Sequence, residues 1–75
     1  MISENDFENY VAIQFSGFYN MITDCEEVMK LLGWTFKKYF EVQVCYSKLV
    51  ERYPNAYEQG RKIGEVLRNE NCVRL

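Results

Sequence analysis

Seventy-five residues, 48% of them hydrophobic, with a net charge of −2, suit one folded domain near the lower size limit for independent folding and exclude a disordered chain. Histidine is absent and the three cysteines, Cys25, Cys45 and Cys72, stand far apart. The commonest general base and any CxxC metal pair are thereby removed, so no enzyme, metal site or cofactor is expected.

No apolar run approaches the length of a membrane span, and the chain opens on Ser3, Glu4 and Asp6 rather than on a basic-then-apolar leader. A cytoplasmic protein with reduced thiols follows as the expectation. Charge is uneven: residues 1–33 carry six acids against Lys30 alone, whereas residues 34–75 carry eight bases against five acids. Five Phe, six Tyr and one Trp are more rings than a core of this size hides easily, which points to self-association or a partner surface.

In chain order, Ser3 followed by Glu4 and Asp6 reads as a helix start, and Phe7, Tyr10, Val11 and Phe15 recur at helical spacing. Gly17 suits the left-handed residue that ends a helix, giving a first helix over 4–16. Thr23 with Glu26 fits a capping box, with Ile22 as its hydrophobic staple, and opens a short second helix over 24–32 that Gly33 stops. Tyr39, Val42, Tyr46, Leu49 and Tyr53 then follow a 3-4-3-4 spacing, widened by Phe36, Phe40 and Val50, for a third helix over 36–52 capped by Thr35. Pro54-Asn55 restarts the chain as a fourth helix over 55–69, with Ala56, Gly60, Ile63 and Leu67 on one face and a frayed tail beyond. The two mid-helix glycines, Gly60 and Gly64, are best justified by contact with bulky tyrosines of the third helix. The fold class is all-α: a small single-domain bundle of about four helices.

Chemistry-bearing clusters are few. Asp24, Glu26 and Glu27 form an acidic run whose ordinary role is dipole compensation in a first helical turn, with a cation site as the alternative. The segment from Cys25 to Val44 also admits a helix-turn-helix reading, in which Lys37 and Lys38 meet nucleic acid. Against it stand the scarcity of amide side chains for base edges and the acidic first half of the chain.

Ser16-Gly17-x-x-Asn20-Met21, following an aromatic-aliphatic helix and followed by a helix ending in Leu32-Gly33, resembles a group of small uncharacterised phage and prophage proteins with an SGxxNM signature between their first two helices. Tyr46-Ser47-Lys48-Leu49 with Tyr53 is similar to their Tyr-x-x-Leu…Tyr ending, so the resemblance covers about residues 7–53. Where many of these proteins have Thr before the Asn, this chain has Tyr19. The resemblance implies a host-cell setting and a non-enzymatic protein that inhibits a host nucleic-acid-processing or defence protein, in the manner of anti-CRISPR inhibitors. On that reading Glu4, Glu8, Asp24, Glu26 and Glu27, with Phe18 and Tyr19, meet a basic, partly apolar protein cleft. A DNA-binding regulator and a virion or assembly component are the alternatives, and a homo-oligomer is expected in any case.

Overall fold

The computed structural model describes the backbone of residues 2–73 and the side chains of residues 2–70. Among these residues the chain forms five helices: α1 (Glu4–Ser16), α2 (Cys25–Leu32), α3 (Phe36–Val44), α4 (Tyr46–Arg52) and α5 (Pro54–Val73). No strand occurs among the described residues.

The organising contact is between α1 and α5. Gly60 lies against the Glu8 carbonyl and Val11, and Gly64 lies against the Ala12 carbonyl and Phe15. Rising positions on α5 match rising positions on α1, so the two helices run parallel and α2–α4 carry the chain back between them. The approach leaves no room for side chains. A Cβ added at Gly60 would lie 2.7 Å from the Glu8 carbonyl oxygen, and one at Gly64 would lie 2.6 Å from the Phe15 Cβ. Small residues repeated every fourth position, Ala56, Gly60 and Gly64, let two helix backbones come this close.

Here the sequence-based expectation is corrected. The glycines face the backbone of α1 and not the tyrosines of α3 or α4, because a bare helix stripe matches another helix backbone better than it matches bulky rings. Ile63 and Leu67, expected on the buried face, are substantially exposed.

The core beside this contact mixes aliphatic side chains with an aromatic cluster. Phe7, Val11, Val28, Tyr39 and Val42 are fully buried, joined by Ile2, Tyr10, Leu49 and Ala56. Tyr10 is its hub: it stacks on Trp34 at 6.2 Å between ring centroids and meets Tyr39 at 5.6 Å and Tyr46 at 6.2 Å. Phe7 meets Tyr46 edge-on at 5.6 Å. Each fully buried large side chain contributes about 1.5–3 kcal/mol relative to exposure. The phenol oxygens reach partners at the edges of the cluster: Tyr46 donates to Gln14 Oε1 at 2.7 Å and Tyr53 donates to the Ile2 carbonyl at 3.1 Å.

Local rules account for most boundaries. Ser3 and Asp6 form a reciprocal capping box on α1, and Gly17, at φ +74°, ends it. Gly33, at φ +72°, ends α2, with its amide on the Met29 and Lys30 carbonyls. Thr35 caps α3 through the Lys38 amide.

Besides α2, which begins at Cys25 rather than at residue 24, three boundaries differ from expectation. The single helix expected over 36–52 is broken at Cys45, whose φ of −99° and ψ of 15° lie between the α and β regions. The β-branched residues Val42, Val44 and Val50 weaken the helix there, and the break lets Tyr39, Tyr46 and Tyr53 reach three different points of the fold. The last helix begins one residue earlier than expected, because Pro54 tolerates a first-turn position while Tyr53 before it, at φ −124° and ψ 63°, has left the helical region. It also runs past 69 to Val73, since no residue after Gly64 breaks the ladder. The end of the expected tail and the Cys72 side chain lie outside the described residues.

Gly60→Ala and Gly64→Ala should each destabilise the fold by about 1–3 kcal/mol, although alanine is the better helix former by about 1 kcal/mol. Urea unfolding followed by far-UV circular dichroism reads the difference, and a gain in stability at either position would contradict the close approach.

Candidate protein-binding site

The segment from Gly17 to Asp24 makes the connection between α1 and α2, and side chains hold it at nearly every step. Ser16 Oγ donates to the Ile13 carbonyl at 2.6 Å and accepts from the Phe18 amide at 3.4 Å. Asn20 Oδ1 accepts from the amides of Ile22 and Thr23, at 2.9 and 3.1 Å, and the Asp24 carboxylate accepts from the Asn20 amide at 2.8 Å. From across the core, Tyr39 Oη and Gln43 Nε2 both donate to the Met21 carbonyl, at 2.7 and 2.9 Å. Tyr39 and Gln43 stand one helical turn apart on α3, which is why both reach the same oxygen.

These bonds replace the capping box expected at Thr23 and Glu26. The residue at the α2 N-cap position is Asp24, and its side chain makes no cap bond. Asn20 satisfies the amides ahead of the helix and draws the Asp24 carboxylate away from it. Met21 packs against the core, while Ile22 does not staple the helix: it is 79% exposed. Beside it, Tyr10, Gln14, Met21, Ile22, Gln43 and Tyr46 line a shallow cavity of about 310 Å³. A groove of about 570 Å³ lies elsewhere, lined by Ile2, Cys45 and Leu49 with the charged side chains Glu41, Lys48, Glu51 and Arg52.

The sequence-derived contact residues separate into two groups. Phe18, Glu26 and Glu27 are exposed, and with Ile22 they belong to the one continuous segment from the loop into the first turn of α2. Asp24 is committed to the Asn20 amide, and Tyr19 is partly buried against the core. Glu4 and Glu8 occupy the first two turns of α1, at the end of that helix remote from the loop, about 15–20 Å along its axis. They are not part of the same patch.

Of the basic pair, Lys37 is exposed but Lys38 is engaged. Its Nζ lies 3.0 Å from Asp6 Oδ2 and 5.0 Å from the centroid of the Trp34 ring. Burial raises the Asp6 pKa, but hydrogen bonds from Lys38 and Ser3 outweigh it and hold the carboxyl below its ordinary value. Lys38 thus ties α3 to the start of α1. The solvent face of α3 carries Phe36, Phe40 and Val44, where a base-reading helix needs donors and acceptors.

Sequence reasoning missed Ile22 as an outward residue and Gln43 as a latch. The spacing of Tyr39 and Gln43 was visible, but the carbonyl they share lies 18 and 22 residues earlier in the chain, so no local pattern announced it. No protein-family model matches the chain, and no significant match exists among curated proteins or solved structures.

Asn20→Ala leaves the Ile22 and Thr23 amides without their acceptor. It should speed hydrogen exchange at those two amides by about tenfold while far-UV dichroism stays the same; unchanged exchange would show that Asn20 does not hold the loop.

The buried phenols also make an alkaline prediction. Burial raises Tyr10 and Tyr39 above the ordinary tyrosine value and pushes Tyr46 up to about 12. An unfolded tyrosine titrates near 10, so above that pH the unfolded chain sheds protons that the folded one keeps. The corresponding stability is fully present below pH 10 and declines as pH rises toward 12. Urea midpoints across that range should fall, and fall less in Tyr46→Phe; a pH-independent midpoint would contradict the burial of these phenols.

Proposed function

We propose that the protein is a non-enzymatic binding protein of the phage type, which inhibits a host nucleic-acid-processing or defence protein by occupying a basic, partly apolar cleft. The observation that carries this reading is the loop between α1 and α2. Seven side-chain hydrogen bonds fix its conformation or its anchor at Met21, and it nevertheless turns Phe18 and Ile22 to water. Exposed apolar side chains on an ordered loop offer contact area with little conformational entropy left to lose on binding. Glu26 and Glu27 follow directly, at the positive end of the α2 dipole, and supply charge that steers encounter with a basic surface.

The contact is accordingly narrower than the sequence suggested: Phe18, Ile22, Glu26 and Glu27 form it, while Asp24 and Tyr19 support it from behind. The resemblance to small phage proteins supports the setting. The nucleic-acid reading rests on Lys37 and Lys38, and it loses ground because Lys38 is paired with Asp6.

A partner recovered from host lysate by the wild-type protein provides the test. Phe18→Ala should weaken that complex by about tenfold or more, as for a hot-spot residue. The double variant Glu26→Lys/Glu27→Lys should slow association and reduce its salt dependence, at a stability cost of about 0.3–1 kcal/mol per site that thermal unfolding reports separately. Tight, salt-sensitive binding of duplex DNA by the protein alone, with no protein partner, would overturn the proposal.

A further inference from the structure

A second surface lies on the solvent side of α3. Phe36, Phe40 and Val44 recur every fourth residue and are 64%, 53% and 66% exposed. The rings of Phe36 and Phe40 stack on each other, with centroids 5.9 Å apart and planes inclined by 22°. The helix packs its own domain through Tyr39 and Val42, so this stripe takes no part in the monomer's core. Lys37 and Glu41 stand one turn apart on the same flank of the stripe, by helical geometry. Among the described residues neither makes an ion pair.

We propose that this face pairs with the same face of a second copy, α3 against α3, antiparallel across a two-fold axis. Charge sets the register. An axis level with residue 39 places Lys37 opposite the second copy's Glu41, and Glu41 opposite the second copy's Lys37. The same axis interleaves the apolar side chains. Along the interface they alternate as Phe36, the second copy's Phe40, Phe40 and the second copy's Phe36, about 3 Å apart in rise. A single two-fold thus satisfies both the charges and the rings, as an isologous interface requires.

The stripe offers on the order of 300 Å² of exposed apolar side chain per copy, well under the ~800 Å² per partner of a standard interface. The dimer is therefore weak and reversible, forming in the micromolar range or above. It leaves Phe18 and the Glu26–Glu27 turn, the basis of the proposed function, outside the stripe.

Sedimentation velocity on the full chain, from low micromolar to submillimolar concentration, tests the pairing. A reversible monomer–dimer equilibrium is expected for the wild type. Phe36→Ser/Phe40→Ser should remain monomeric throughout, with an unchanged far-UV spectrum because both rings are exposed. Lys37→Glu should weaken the dimer by about tenfold, and adding Glu41→Lys should restore it, which only the antiparallel register explains. A wild type that stays monomeric would overturn the proposal. If that monomer then loses a lysate-captured protein on Phe36→Ser/Phe40→Ser, the stripe belongs to that protein instead. A dimer that survives Phe36→Ser/Phe40→Ser, or one that the double charge swap does not restore, would equally overturn it.

Discussion

The close approach of α1 and α5 is the constraint on which the rest of the fold depends. Two helices whose backbones nearly touch at Gly60 and Gly64 fix each other's register, since a side chain brought to either position would run into a carbonyl of α1. Parallel pairing also dictates what lies between them in sequence. The chain must return from the end of α1 to the start of α5, and three short helices make that return while covering one side of the pair. Each of the three is too short to persist alone, and each is held by one or two buried residues against the pair.

This arrangement explains why so many aromatic residues lie in and around so small a core. Flat rings fill the space between the short helices and the pair while their polar tips remain within reach of a carbonyl or amide. Tyr39, Tyr46 and Tyr53 each end on a hydrogen bond to a segment distant in sequence: the loop, the far part of α1 and the N-terminal stretch respectively. The tyrosines thus serve both as packing and as ties. The loop between α1 and α2 is rigid because Tyr39 belongs to the core and to the loop's anchor at once. Its outward Ile22 follows from that anchoring: Met21 takes the inward place, and Ile22 beside it is left facing water.

How much of this is legible in the sequence depends on whether the cause is local. The capping residues Ser3 and Thr35, the stops at Gly17 and Gly33 and the restart at Pro54 are decided within a few residues, and they are readable. The break at Cys45 is not, because the periodicity of Tyr39, Val42, Tyr46 and Leu49 runs straight through it. The partner of Gly60 and Gly64 is misread for a related reason: a bare helix stripe announces close approach without saying to what. Periodicity also groups Phe36 and Phe40 with Tyr39 and Val42, since a helix with two apolar stripes gives no local sign of which one faces inward. In the candidate site, Phe18, Glu26 and Glu27 are identifiable as exposed loop and first-turn residues. Ile22 is hidden by a staple pattern that the Asn20 and Asp24 side chains override.

The most direct test of the central contact is a nuclear Overhauser experiment on the labelled protein. The parallel register places the Gly60 α-protons beside the Val11 methyl groups, and those of Gly64 beside the Phe15 β-protons. Cross-peaks between these pairs are expected. Cross-peaks from Gly60 to the rings of Tyr46 or Tyr53, with none to Val11, would contradict the account and return α5 to the partner that periodicity alone suggested.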